Sequence, residues 1–261
     1  MRDSIGVFDS GMGGLTVLRA LRKQLPGENF VYLGDTARLP YGTKSPQTVI
    51  RYAEHAAGVL IDRGVRALVV ACNTASGIAL EHLGAKYSAV PVFGVVHPGA
   101  EAASVKMDES GVLVLATEST VAGGAYQKAI SRLRRDARVY ARACPLWVTL
   151  AEQGIIDGPL TAAVVDHDLR GFNAEGPRTI LLGCTHYPVF KDYLRKRLPG
   201  FHIVDSAETT ALVVASVLGR SNSTSMGEEV FLATDGIARF KRVGRYFLGR
   251  PINDVELIDL Q

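Results

Sequence analysis

Along the chain, short runs of β-branched and other apolar residues alternate with stretches whose apolar positions recur every three or four residues. The first run, Ile5 to Phe8, leads into a glycine-rich turn, Gly11-Met12-Gly13-Gly14, and then into a helical stripe of Leu15, Leu18, Leu21 and Leu25. A second run, Phe30 to Leu33, ends at Asp35. Beyond a loop holding Pro40, Tyr41 and Gly42, Ser45 and Pro46 read as the N-cap and first residue of a helix running until Gly64. Further strands are predicted at Ala67 to Ala71, Val92 to Val96, Val112 to Ala116, Ala137 to Ala141, Thr179 to Leu182, His202 to Val204, Val230 to Ala233 and Val255 to Ile258. Mostly separated by helical segments, these predict an α/β fold with parallel sheet.

Four of the strands finish in a small polar cluster: Asp9-Ser10, Cys72-Asn73-Thr74, Thr117 and Cys184-Thr185-His186. The offset from Asp9 to Cys72 is close to that from Thr117 to Cys184, an internal echo that implies two similar α/β units. Ligands of such sheets bind beyond the carboxyl ends of the strands, so units facing each other would bring all four clusters to one cleft.

Composition narrows the class. At 261 residues, with 47% hydrophobic and 21% charged positions, the chain can bury one large core or two small ones. Its longest apolar runs, Ala67 to Cys72 and Val112 to Ala116, fall far short of the ~20 residues of a membrane span, and the first residues lack a secretory apolar region. The expectation is a cytoplasmic protein with no membrane partner. The net charge of +3, from 29 basic and 26 acidic residues, is too mild to call for nucleic acid. The one basic knot, Arg132, Arg134, Arg135 and Arg138, reads as a solvated helix face without interleaved aromatics. Three cysteines with no C-x-x-C pair argue against a disulfide framework or a cysteine-built zinc site, and no metal is expected.

Cys72 and Cys184 each end an apolar strand and precede hydroxyl or amide side chains. A helix beginning there would lower the thiol's pKa below its ordinary ~8.5 and attract a substrate carboxylate. Cys144, beside Pro145 in an apolar stretch, reads as a small buried hydrophobe. Two acid/base groups facing one carbon suit racemisation: one takes a proton from one face while the other returns a proton to the opposite face. Asp9 could assist Cys72, and His186 could assist Cys184.

Asp9-Ser10-Gly11-Met12-Gly13-Gly14, Pro40-Tyr41-Gly42, Ala71-Cys72-Asn73-Thr74-Ala75 and Gly183-Cys184-Thr185-His186-Tyr187-Pro188 together resemble the signature segments of bacterial glutamate racemases, in the aspartate/glutamate racemase superfamily. The similarity runs through Ala143-Cys144-Pro145-Leu146 and Glu152 to the helix of Arg239 and Phe240. It implies two similar parallel-sheet α/β domains, residues 1–96 with 207–261 and residues 97–206, with the active site in the cleft between them. It also implies cofactor-independent interconversion of L- and D-glutamate for peptidoglycan synthesis, and it is compatible with a homodimer. By position, the resemblance makes Cys72 and Cys184 the catalytic thiols, Asp9 and His186 their assistants and Glu152 an auxiliary acid. It makes Ser10, Pro40, Tyr41, Gly42, Asn73, Thr74 and Thr185 substrate contacts, with Thr117 and Thr120 as further ligands. The chain departs from its relatives at Ala122, Gly123, Trp147 and Thr149.

Rival readings fit less well. Thr16 stands where a dinucleotide-binding G-x-G-x-x-G turn needs its third glycine, although Asp35 lies where a ribose-binding acid would. None of the eight lysines sits at a strand-end cluster, as a pyridoxal enzyme would require. A racemase for aspartate or another amino acid and a two-lobed protein that binds an amino acid without turning it over remain as alternatives. A passive receptor has no use for two thiols, an aspartate and a histidine in one cleft.

Overall fold

The computed structural model describes residues 3–172, 176–219 and 225–260. Its strands are β1 (Ile5–Asp9), β2 (Phe30–Gly34), β3 (Ala67–Val70), β4 (Val92–Gly94), β5 (Val112–Ala116), β6 (Val139–Ala143), β7 (Thr179–Gly183), β8 (His202–Asp205), β9 (Glu229–Ala233) and β10 (Glu256–Leu257). They form two parallel sheets, one in the order β10-β9-β2-β1-β3-β4 and the other in the order β6-β5-β7-β8.

Alternate residues of a strand point to opposite faces, and here both faces are apolar because helices cover both. In β1 and β3, Ile5, Val7, Ala67 and Val69 enter one core, while Phe8, Leu68 and Val70 enter another. The first core also takes Leu113 and Leu115 of β5 and Ile180 and Leu182 of β7, so a single apolar layer runs from one sheet to the other. Val112, Val114 and Ala116 turn to a third cluster on the far face of the small sheet. The helices Val96–Lys106 and Ser206–Leu218 carry the chain between the sheets and pack on each other. Among the described residues no helix is long and apolar enough to cross a membrane.

The first helix, Leu15–Gln24, buries Leu15, Leu18 and Leu21 as its stripe predicts, with Leu25 as C-cap. The second, Pro46–Asp62, is capped by Ser45, whose side chain accepts from the Thr48 amide at 3.3 Å. It stops before Gly64, which takes a φ of +76°.

The structure corrects several expectations. The strand expected at Ala137 to Ala141 runs two residues later, as an edge strand whose half-buried side chains give a weak alternating signal. The run Val92 to Val96 divides, and Val96 already begins a helix. The arginine knot is not a helix face, since its helix ends at Leu133 and only Arg132 lies on it. Arg134 instead turns back to donate to the carbonyls of Met107 and Ser104 at 3.0 and 3.4 Å.

Candidate active site

Where neighbouring parallel strands connect in opposite directions, the loops leaving them part and open a crevice at their carboxyl ends. In the large sheet β1 lies between β2 and β3, so the crevice falls between the ends of β1 and β3. In the small sheet β5 lies between β6 and β7, so it falls between the ends of β5 and β7. The residues at those four ends are Asp9, Cys72, Thr117 and Cys184. One cavity is lined by Ser10, Tyr41, Cys72, Cys184, Thr185 and His186 among others, so both thiols meet the same space. Pro40, Gly42, Asn73, Thr74 and Thr117 complete most of its wall. Val148, which the sequence did not single out, also faces it.

The close approach of the two units depends on glycine. A Cβ on Gly13 would stand 2.5 Å from Thr185 Oγ1 and 2.5 Å from His186 Nδ1, and one on Gly14 would stand 2.5 Å from the Asp9 Cβ. Hydrogen bonds then tie the units at the cleft floor. Thr16 Oγ1 donates to the Thr185 carbonyl at 2.9 Å, and Thr185 Oγ1 donates to Asp9 Oδ1 at 3.3 Å. Thr74 and Thr117 stand on another wall, and their hydroxyls and that of Thr120, which does not line the cavity, lie 3.0–3.2 Å from one another.

Around Cys72 the charges are negative or absent. Its Sγ donates to Ser10 Oγ at 3.6 Å, and it caps the helix Asn73–Lys86. The helix was expected to lower this thiol's pKa. Instead burial pushes it up to about 12, with the Asp9 carboxylate adding to the effect, because desolvation outweighs the amide groups at the helix start. Asp9 itself is fully buried and shifted upward by desolvation, although the His186 charge and the amides of Gly14 and Gly11 oppose the shift. Its Oδ2 accepts from the Gly11 amide at 2.9 Å, so Asp9 holds the glycine turn and stands behind the cavity wall, not on it.

Around Cys184 the sign reverses. The helix expected after it begins as a 3₁₀ turn, Tyr187–Phe190, and the α-helix starts only at Lys191. Charge there comes from a side chain. His186 Nδ1 lies 3.8 Å from Cys184 Sγ, and its Nε2 lies 3.1 Å from Glu152 Oε1. Burial works against a charged ring, but the hydrogen bonds to Cys184 and Glu152 and their charges raise the His186 pKa to about 10. A doubly protonated imidazole also satisfies both neighbours at once. Glu152 shows the converse: burial opposes its ionisation, yet the hydrogen bond and charge of His186, helped by Arg239, hold it below the usual carboxylate range.

Other side chains turn out to be structural. The Asp35 carboxylate accepts from Tyr41 Oη at 2.6 Å and from Thr234 Oγ1 at 3.0 Å, leaving no ribose-binding role. Tyr41 therefore meets the cavity with its hydroxyl already engaged. Cys144 is fully buried, and its thiol is shifted upward by burial. Trp147 is buried, and Asp168 Oδ2 accepts from its Nε1 at 2.8 Å. Ala122, Gly123 and Thr149 are exposed and do not line the cavity. Sequence reasoning missed Tyr126, whose buried hydroxyl accepts from Asn73 Nδ2 at 2.7 Å; no local pattern marks it.

Known proteins share this fold. The chain is 44% identical to a glutamate racemase of Geobacter metallireducens over 99% of its own length and 97% of the relative's. The crystal structure of glutamate racemase from Thermus thermophilus in complex with β-chloro-D-alanine superposes with a TM-score of 0.88 at 43% identity, covering 99% of this chain and 98% of that one. The glutamate racemase of Francisella tularensis in complex with D-glutamate gives a TM-score of 0.91 at 33% identity, with the same coverage. The sequence profile of the Asp/Glu/Hydantoin racemase family matches residues 5–214, and this chain belongs to that family.

Proposed function

We propose that the chain interconverts L- and D-glutamate without a cofactor, by proton transfer between the substrate α-carbon and two thiols on opposite faces. The observation that carries this reading is a single cavity reached by both Cys72 and Cys184, with a carboxylate beside one and an imidazolium beside the other. A two-base reaction must start with one base ionised and the other protonated. Cys72 waits as a thiol. Cys184 faces the His186 ring, whose Nδ1 lies 3.8 Å from its Sγ. In this state the enzyme is set to take the proton of L-glutamate with Cys184 and to deliver a proton from Cys72 to the other face.

Donors for the substrate follow from the walls. Thr74, Thr117, Thr185, Ser10 and Asn73 carry hydroxyl or amide groups suited to two carboxylates, together with the backbone of Pro40, Tyr41 and Gly42, while Thr120 stands behind Thr74 and Thr117. Asp9, from behind the wall, attracts the substrate ammonium, whose arrival offsets the charge that keeps Cys72 protonated. The cavity holds about 40 Å³, room for about three waters, so glutamate enters only when the units part. Residues 1–96 with 207–261 form one lobe and 97–206 the other, both including some residues outside those described. The product serves peptidoglycan synthesis in the cytoplasm.

Purified protein incubated with L-glutamate in heavy water, with no added cofactor, tests the reading. Solvent deuterium should appear first at the α-carbon of D-glutamate and not in recovered L-glutamate, and L-aspartate should turn over far more slowly. Equal initial labelling of both enantiomers would point to one mobile base and end the two-thiol scheme.

A further inference from the structure

The Glu152 carboxylate is gripped from two sides. Its Oε1 meets His186 Nε2 at 3.1 Å, and its Oε2 accepts from Arg239 Nη2 at 2.6 Å. Glu152 and His186 stand on elements that follow β6 and β7 of the small sheet, whereas Arg239 stands on the helix Ile237–Leu248, between β9 and β10 of the large one. Arg239 occupies the first turn of that helix, where the helix dipole disfavours a cation, so the helix itself does not account for it. The same helix brings Phe247 edge-on to the His186 ring, with centroids 5.1 Å apart and planes at 79°. One helix of the large-sheet unit thus touches both the ring that faces Cys184 and the carboxylate behind that ring. Arg239 itself does not line the cavity.

We propose that Arg239 is a positioning residue that reaches across the cleft to keep Glu152 ionised and aligned on His186, completing the Cys184 face only when the units are closed. The inference rests on the racemase reading above. The titratable and charged groups around this contact are His186 and Cys184 after β7, Asp9 at the end of β1, and Arg239 itself. Losing Arg239 leaves Glu152 with His186 as its one neighbouring cation, so its carboxylate takes up a proton at higher pH. The guanidinium is 44% exposed, which keeps the shift modest and sensitive to salt.

Racemisation followed against pH for the unaltered protein, Arg239→Gln and Arg239→Lys decides it. Arg239→Gln should lower kcat by about 10-fold with KM nearly unchanged. It should also move the acid limb of kcat/KM up by about half a pH unit, and Arg239→Lys should restore the limb. Activity lost with an unmoved acid limb, or a limb shift that lysine fails to restore, overturns the proposal. So does unaltered activity. Should the unaltered protein not racemise glutamate at all, the proposed function fails instead. The Glu152 carboxyl titration, read by carbon NMR in both proteins, still judges Arg239, and an equal midpoint in the two rejects its role.

Discussion

Cys72 and Cys184 both follow a central strand beside a switch point, yet the groups around them carry opposite signs. Cys72 has a serine hydroxyl, a helix start and a buried aspartate, and its thiol is pushed up to about 12. Cys184 has no long helix behind it, but a histidine whose pKa rises to about 10 between a sulfur and a carboxylate. Both sulfurs stand at strand ends beside the cleft, and the backbone that follows each and the neighbouring side chains together make them unequal. That inequality is what a reaction needing one base and one acid requires at its start. Burial at Cys72 outweighs the helix dipole because desolvation of a charge costs more than a helix end returns at an exposed site.

The comparison breaks most severely when either sulfur is removed. Cys72→Ala and Cys184→Ala should each lower racemisation by about 10³-fold or more, since each deletes the proton donor or acceptor on one face. They should nevertheless differ in exchange. Cys72→Ala retains the base facing L-glutamate and should wash its α-deuterium into solvent without inversion, whereas Cys184→Ala should do so with D-glutamate. Proton NMR of recovered substrate reads this directly, and the opposite pattern would exchange the two assignments.

Removing the charge difference while keeping both sulfurs is the next test. His186→Gln should reduce kcat by about 10²-fold, because the cation facing Cys184 is lost. Stability should respond with a definite sign. A histidine whose folded pKa lies above its unfolded value near 6.5 contributes fully below that pH, and the contribution disappears as pH rises through about 10. The unaltered protein should therefore lose thermal stability across that interval more steeply than His186→Gln, as calorimetry at several pH values would show.

Much of this arrangement was legible in the residues themselves. The ten strand positions, the Ser45 cap and both cysteine clusters carry local signals, because apolar period, turn chemistry and strand-end polarity are short-range properties. The meeting of Glu152, His186 and Arg239 has no such signal. These residues lie far apart in sequence and are joined only by how the last helix packs against the small-sheet unit. The upward shift at Cys72 was likewise hidden, since a sequence shows a helix start but not how deeply it is buried. The edge strand β6 slipped by two residues for a related reason: with side chains half in water, its alternation weakens.

A smaller effect probes how the two thiols are brought together. Gly13→Ala places a methyl where Thr185 Oγ1 and His186 Nδ1 already stand, 2.5 Å away. Real Cβ contacts do not come so close, so the units must separate or the Thr185 and His186 side chains must turn. Either response disturbs the Cys184 face, and through the Thr185 hydroxyl it also reaches Asp9. The expected result is a drop in kcat of about 10-fold in a folded protein. Full activity would mean that the cleft closes by another route.

The third cysteine supplies the smallest effect and the control for the other two. Cys144 is as buried as its counterparts, but its Sγ points to the Arg142 carbonyl at 3.7 Å and the cavity that the other two thiols reach does not include it. Its backbone does more than its side chain, because its carbonyl accepts from Tyr187 Oη at 2.8 Å and an alanine would preserve that bond. Cys144→Ala therefore removes one sulfur from a packed site, at a cost of about 1 kcal/mol in stability and less than about twofold in turnover. Denaturant unfolding and initial rates measure the two separately. If turnover collapsed while the fold held, lining the shared cavity would not be what distinguishes a reacting sulfur here, and the contrast between Cys72 and Cys184 would have been drawn on the wrong pair.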